Sequence, residues 1–258
     1  MRGVGEPLAG SDELVLPSVR NFRDVAGPGY ETAYGPMLRG RLFRSNSFQV
    51  ADDDLPVLGT LGIVAVYDLR GQDEIDRRPD TAIDGAKWHH AWVPGLSRAV
   101  MASLNTGTEM RQAMIEHYRG FVSDASKRAG FAAALAAIAQ YEGVQVFHCS
   151  EGKDRTGWLA MLLQRLAGVS EADMIADFLL TNELMEGSGP SLDLARHFFG
   201  DRSPDFFRPA MIADPAYLEA GMDQLTRDYG DVEHYLSAGL ALSDEQVDNL
   251  QRLLVERT

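Results

Sequence analysis

The chain has 258 residues, 45% of them hydrophobic, and a formal net charge of −14. That is enough apolar material for a sizeable core in one domain or two, and the acidic balance excludes nucleic acid or a generally anionic membrane as the default partner. The lone cysteine excludes an internal disulfide framework and fits a reducing compartment.

Residues 1–16 carry no apolar leader segment and read as a frayed end. No run is long and apolar enough for an integral membrane segment. A cytoplasmic location is expected, with export lacking a signal peptide left open. Asn21 to Gly29 is turn-rich. Met37 to Ser45 alternates apolar and basic residues, which predicts a strand. Arg39 and Arg41 then lie on a solvated face, and Arg44 falls at the strand's end beside Ser45 and Asn46. Asp52 to Leu61 predicts a short helix with Pro56 in its first turn. Ile63 to Leu69 is a near-continuous apolar, β-branched run, the pattern of a central strand buried on both faces. It ends at Asp68, Leu69 and Arg70.

Trp88 to Val93 predicts another strand, closed by Pro94 and Gly95. Glu109 to Phe121 and Ser126 to Tyr141 read as helices. Val144 to Phe147 is a strand, and Trp158 to Ala167 a helix stopped by Gly168. Ser170 caps a further helix running through Met174, Ile175, Phe178 and Leu179. Residues 186–205 are irregular, with an apolar patch at Leu194 and His197 to Phe199, followed by Phe206 and Phe207. This stretch fits either plain packing or a lid. Pro215 to Tyr229 and Ser243 to Arg257 close the chain as helices, the latter with a capping box from Ser243 to Gln246.

Strands alternating with helices indicate an α/β fold with a central, partly parallel sheet flanked by helices. Ligand sites in such sheets lie beyond the carboxyl ends of the strands, and both Cys149 and Asp68 fall at such ends. There is no internal repeat, metal-ligand cluster or glycine-rich nucleotide fingerprint. His89 and His90 are neighbours in a strand, so they point to opposite faces and suit no common metal.

The densest chemistry is in Val144 to Gly157, VQVFHCSEGKDRTG. A strand ends at His148, a tight loop follows, and then a helix. Backbone N–H groups of such a loop form a nest for an anion, and the helix adds its own unpaired N–H groups and the positive end of its dipole. A thiol in that position is held as thiolate; comparable cradles lower a cysteine from about 8.5 into the range of roughly 3.5–7.5. Arg155 supplies a planar fork for two phosphate oxygens, and Thr156 a hydroxyl for the leaving thiolate. A solitary core cysteine has no need of Lys153, Asp154 and Arg155 beside it. His148 is read as structural, bonding backbone to hold the loop. The distant acidic surface does not bar an anion, because screening sets in within about 8 Å at physiological salt.

Cys149 to Arg155 fits C-x5-R, the phosphate loop of the cysteine-dependent tyrosine and dual-specificity phosphatases. The longer string HCSEGKDRTG resembles the bacterial and fungal tyrosine/serine phosphatase group whose loop reads HCxxGKDRTG. NFRD at Asn21 to Asp24, RLFRS at Arg41 to Ser45, LGIVAVYDLR at Leu61 to Arg70 and YGDVEHYL at Tyr229 to Leu236 are similar to other blocks of that group, in order. The resemblance therefore covers most of the chain, from about residue 20 onwards. It implies one phosphatase domain over residues 1–258, with a helical C-terminal cover at about 170–229.

The resemblance also implies phosphomonoester hydrolysis through a cysteinyl-phosphate on Cys149, with no metal or organic cofactor. Ser150, Glu151, Gly152, Lys153, Thr156 and Gly157 would then build the substrate cradle around Arg155. The group places an aspartate immediately before the arginine, so Asp154 is the expected general acid; a loop-shaping ion pair with Lys153 or Arg155 is the competing role. Asp68 is the alternative acid, or orients Lys153. Glu151 departs from the small residue of many relatives, and its carboxylate must point outward to spare the phosphate. Lys153, one of three lysines, is either a partner of Asp68 or Asp154 or a second anion contact, as in lipid and inositol phosphatases. The expected partner is a phosphorylated protein or a phosphoinositide. A phosphate-binding pseudophosphatase, a sulfur transferase and an arsenate reductase are the rival readings. GKDRTG speaks against the last two, and a lone cysteine leaves no resolving thiol for a disulfide relay. Oligomeric state is left open.

Overall fold

The computed structural model describes residues 16–185 and 202–256. In chain order the strands are β1 (Arg23–Asp24), β2 (Glu31–Thr32), β3 (Gly35–Pro36), β4 (Leu42–Ser45), β5 (Ile63–Asp68), β6 (Lys87–His90) and β7 (Val144–His148). Five of them form a central sheet in the order β1-β4-β7-β5-β6, and β2 and β3 form a separate hairpin. The pairs β4–β7, β7–β5 and β5–β6 are parallel, and β1–β4 is antiparallel.

Among the described residues the α-helices are α1 (Leu55–Gly59), α2 (Gln72–Arg77), α3 (Arg98–Ser103), α4 (Gly107–Ser123), α5 (Ala125–Ile138), α6 (Asp154–Ala167), α7 (Glu171–Leu184), α8 (Pro204–Met211), α9 (Pro215–Tyr229), α10 (Val232–His234) and α11 (Asp244–Leu254), with a π-helical turn at Tyr235–Gly239 directly after α10. Alternation along the strands divides the core in two. Phe43, Val66 and Val146 face a small cluster with Phe22, Phe48 and Leu58 of α1. Leu42, Tyr67 and Phe147 face a larger cluster built with α4, α5, α6, α7 and α9. β7 and β5 therefore sit mid-sheet, covered on both sides, and their carboxyl ends open on one rim.

The central strand and the main helices lie where the sequence predicts them, with three instructive differences. The strand expected over residues 37–45 is confined to Leu42–Ser45. Gly40 takes a positive φ of 74°, which turns the chain away from the sheet, and its N–H donates to Asp24 Oδ2 at 2.6 Å. The strand expected over residues 88–93 spans Lys87–His90 at the sheet's edge. The helix after the loop starts at Asp154 rather than Trp158, which places Asp154 and Arg155 in its first turn. Four short helices, α2, α3, α8 and α10, are absent from the sequence reading because none carries a long apolar period; α8 begins at Pro204, inside the stretch expected to be irregular. The expected frayed end (residues 1–15 of it) and the apolar patch at 194 and 197–199 lie outside the described residues. Among the described residues no helix is long and apolar enough to cross a membrane.

Candidate active site

Cys149 follows directly on β7 and is buried at the sheet's rim. The loop after it must turn back sharply into α6, and Gly152 makes the turn with φ +66°. A Cβ there would lie 2.4 Å from the Ser45 carbonyl oxygen, so only glycine fits the approach to β4. The backbone of Ser150 accepts from Ser47 N–H at 3.1 Å. Because α6 begins at Asp154, the N–H groups of its first turn have no intrahelical acceptor.

Behind the loop lies a buried polar brace. Asn21 Nδ2 donates to the carbonyls of Gly152 at 2.9 Å and Glu151 at 3.3 Å, and Arg44 Nη2 donates to Gly152 at 2.9 Å. Asp177 of α7 joins the two arginines, accepting from Arg23 Nε at 3.0 Å and Arg44 Nη1 at 2.8 Å. Arg23 also bonds the Asn21 side chain. Burial would raise the Asp177 carboxyl, but Arg23 and Arg44 hold it below the usual range. Burial, with Arg23 nearby, pulls Arg44 down to about 10, still a cation at neutral pH. The similar blocks at Asn21 to Asp24 and Arg41 to Ser45 thus meet at the back of this loop.

Arg155 points across the loop to α2. Its Nη1 and Nη2 donate to Glu74 Oε2 at 2.8 Å and Oε1 at 2.7 Å. Nη1 is also 3.3 Å from Leu69 O and 3.5 Å from Val93 O. Ser150 Oγ donates to Glu74 Oε1, and Gly71 N–H to Oε2 at 2.9 Å. Burial alone would raise Glu74; the Arg155 fork, with Ser150 and Gly71, instead pulls it down to about 2. Burial likewise opposes the Arg155 charge, and Glu74 and Cys149 outweigh it, raising the guanidinium further above its usual range. The sequence reading missed Glu74. Its side chain does reach back to the N–H of Gly71, the residue before α2, but glycine supplies no capping side chain, so no capping signal marks Glu74 in the sequence.

Asp154 Oδ1 accepts from Tyr118 Oη of α4 at 2.9 Å and lies 3.4 Å from Lys153 Nζ. Burial and then Asp154 raise Tyr118 well above the usual tyrosine range, so it stays a donor. Lys153 Nζ itself donates to the carbonyls of Ala210 at 2.6 Å and Ile212 at 3.1 Å. Ala210 is in the last turn of α8 and Ile212 is the residue just after it, a helix end where a cation is favoured by the dipole. Lys153 therefore meets Asp154 but not Asp68. Asp68 is buried with both oxygens on Arg70, at 2.9 Å to Nε and 2.7 Å to Nη2, away from the loop's mouth. The Glu151 carboxylate turns to Arg78, 3.9 Å away, and burial raises it. Thr156 Oγ1 is buried without a hydrogen-bond partner.

His148 is buried, with Nδ1 3.3 Å from Cys149 O and Nε2 3.0 Å from Asp80 Oδ2. Asp80, unread in the sequence, lies after α2. Asp68, Asp80 and His148 gather within 4.8 Å of one another, a metal-like spacing. Arg70 Nη2 lies 2.7 Å from an oxygen of each carboxylate and supplies the positive charge there. A cleft of about 690 Å³ runs from Arg155 past Glu74 and Gly71 to Trp92 and Met101.

A model of the tyrosine phosphatase family matches residues 14–256. A Cupriavidus necator protein classed with the tyrosine-protein phosphatases is 30% identical over 249 residues, covering 93% of this chain and 88% of its own. A tyrosine-protein phosphatase of Nostoc commune is 27% identical over 259 residues, covering 95% and 84%. The triple specificity protein phosphatase PtpB of Mycobacterium tuberculosis is 27% identical over 264 residues, covering 88% and 94%.

Proposed function

The chain belongs to the tyrosine phosphatase family, and from that premise we propose that it hydrolyses phosphotyrosine in proteins through a cysteinyl-phosphate on Cys149. The observation that carries the reading is Arg155, buried at the start of α6 and clamped by Glu74 through both Nη atoms, in the loop that begins at Cys149. The clamp leaves the Nε–H and the second Nη2 N–H as a fork for two phosphate oxygens. Loop N–H groups from Ser150 to Thr156 take the remaining contacts, as donors fixed before the charge develops; the Gly157 N–H, expected among them, donates instead to Lys153 O at 2.8 Å.

In the first step a lone pair of the Cys149 thiolate attacks phosphorus in line, the S–P bond forms and the ester P–O bond breaks. Asp154 gives its proton to the departing oxygen. Tyr118 and Lys153 hold Oδ1, so Oδ2 carries that proton. In the second step water attacks phosphorus, the S–P bond breaks, and Asp154 takes the water's proton. The Thr156 hydroxyl, which has no other partner, donates to the returning thiolate. The described chain serves as one domain, because both core clusters share the same sheet, and the described parts of the expected cover, residues 170–185 and 202–229, serve as that cover. A reducing compartment, the cytoplasm, suits a lone nucleophilic thiol.

The test is Cys149→Ser assayed on p-nitrophenyl phosphate, a phosphotyrosyl peptide and a phosphoinositide. Turnover should vanish while phosphate still binds, vanadate should protect the wild-type thiol from alkylation, and the wild type should prefer the peptide. Retention of a tenth of the activity in Cys149→Ser would overturn the covalent route. Preference for the inositol lipid would transfer the substrate reading to phosphoinositides.

A further inference from the structure

Beyond β6 the chain remains extended beside β5: Ala91 N–H donates to Asp68 O at 2.9 Å and Val93 N–H to Leu69 O at 3.1 Å. Side chains at 88, 90 and 92 therefore share one face, opposite to Ala91 and Val93, which enter the core. Trp88 and Trp92 are 50% and 53% exposed, although they belong to the sheet's edge and are large apolar groups. The Trp88 and His90 rings stack at 5.6 Å. Trp88 Nε1 donates to Asp80 at 3.3 Å and His90 Nε2 lies 2.7 Å from Arg70 O, which fixes both rings in place. The stripe borders two hollows, one of about 250 Å³ lined by Val66, Ile75 and Ile83, and the cleft of about 690 Å³ that adds Pro94, Leu96 and Met101 and reaches Arg155.

We infer that the Trp88–His90–Trp92 stripe docks the polypeptide flanking the phosphorylated residue of a substrate. The occupant follows from continuity: the larger hollow ends on the guanidinium that the proposed function assigns to the phosphate, so whatever is joined to the phosphate enters it. Its size far exceeds a phosphate. Trp88 and Trp92 stand roughly 13 Å apart along an extended strand, the span of about four residues of an extended peptide. Flat aromatic faces of fixed orientation give contact area at little entropic cost and are common interface anchors. The lining of the cleft mixes Asp73 and Glu74 with Arg77 and Arg98 rather than forming a basic patch, and its exposed features are aromatic rings along an extended strand, which suits a polypeptide better than an anionic lipid surface.

This inference rests on the phosphatase reading, and the experiment separates the two. Wild type, Trp88→Ala and Trp92→Ala are assayed on p-nitrophenyl phosphate, on a capped phosphotyrosine, and on a phosphotyrosyl peptide of about ten residues with apolar flanks. Peptide affinity is also read by fluorescence anisotropy in the Cys149→Ser background. The wild type should gain about tenfold in kcat/KM from capped phosphotyrosine to peptide. Each tryptophan variant should lower the ratio of peptide to p-nitrophenyl phosphate kcat/KM about fivefold or more, with a matching loss of affinity, consistent with an interface anchor. Trp92→Phe should retain most of the gain. A wild type with no length gain, or variants that leave the ratio unchanged, would overturn the docking surface while leaving the phosphatase intact. Loss on vesicle-borne phosphoinositide with none on the peptide would overturn it in favour of a membrane contact. Absence of any wild-type turnover would remove the phosphatase reading, and the anisotropy would still decide the docking.

Discussion

Glu74 governs how Arg155 meets an anion, since it holds both Nη atoms. Glu74→Gln should lower kcat/KM roughly ten- to a hundredfold, the worth of a charge-assisted hydrogen bond of about 1.5–3 kcal/mol. The pair also has a pH signature. Its folded-state value of about 2 lies below the ordinary 4.5. A carboxyl depressed in this way stabilises the fold above about 4.5 and loses that contribution as the pH falls towards 2. Wild type should therefore exceed Glu74→Gln by on the order of 2 kcal/mol at neutral pH, and denaturant melts of the two should converge by about pH 2. An equal gap at both extremes would show that Glu74 acts by packing alone.

Asp154 and Tyr118 form the second residue-scale claim. Asp154→Asn should cut turnover of an alkyl phosphate about a hundredfold or more and that of p-nitrophenyl phosphate less, because the nitrophenolate leaves with little protonation. Tyr118→Phe should follow the same pattern in weaker form. Equal losses on both substrates would assign Tyr118 to packing. Cys149, Asp154 and Arg155 were legible because one contiguous string holds them. Glu74, Asp80, Tyr118 and Asp177 were not, because they reach the loop from other elements and no spacing rule links them to it.

At the scale of elements, Lys153 joins the loop to α8 through the carbonyls of Ala210 and Ile212. Its ammonium is thereby committed to a helix end, which weakens its reading as a second phosphate contact. Lys153→Ala should cost about 1.5–3 kcal/mol in stability and lower kcat/KM to a similar degree on phosphotyrosyl peptide and phosphoinositide. A loss confined to the lipid would restore the phosphate contact. The sequence identified α8's neighbourhood only as an aromatic stretch, because the docking of a helix terminus on a distant lysine leaves no periodic trace. Strand β5 and helices α4, α5, α6, α9 and α11 were readable from apolar period and caps. β6 was drawn too long because its exposed tryptophans mimic a buried run.

For the whole molecule, the parallel pairing of β4, β7 and β5 brings three sequence-distant strand ends to one rim. That is why Asp68 and Cys149 could be assigned to one end of the sheet before their contacts were known, and why Arg44, read only as a strand-end residue, joins them there. The brace of Asn21, Arg23, Arg44 and Asp177 ties the sheet's first strands and α7 to the loop, so the fold as a whole presents Cys149. The most direct test of that account is a covalent one. Asp154→Asn enzyme, mixed with p-nitrophenyl phosphate and quenched in acid, should release a burst of nitrophenol and carry a phosphoryl group on the peptide containing Cys149 by mass spectrometry, because the second step lacks its base. The adduct should be absent from Cys149→Ser. A phosphoryl group on another residue, or turnover with no burst and no adduct, would contradict the assignment of Cys149 as nucleophile.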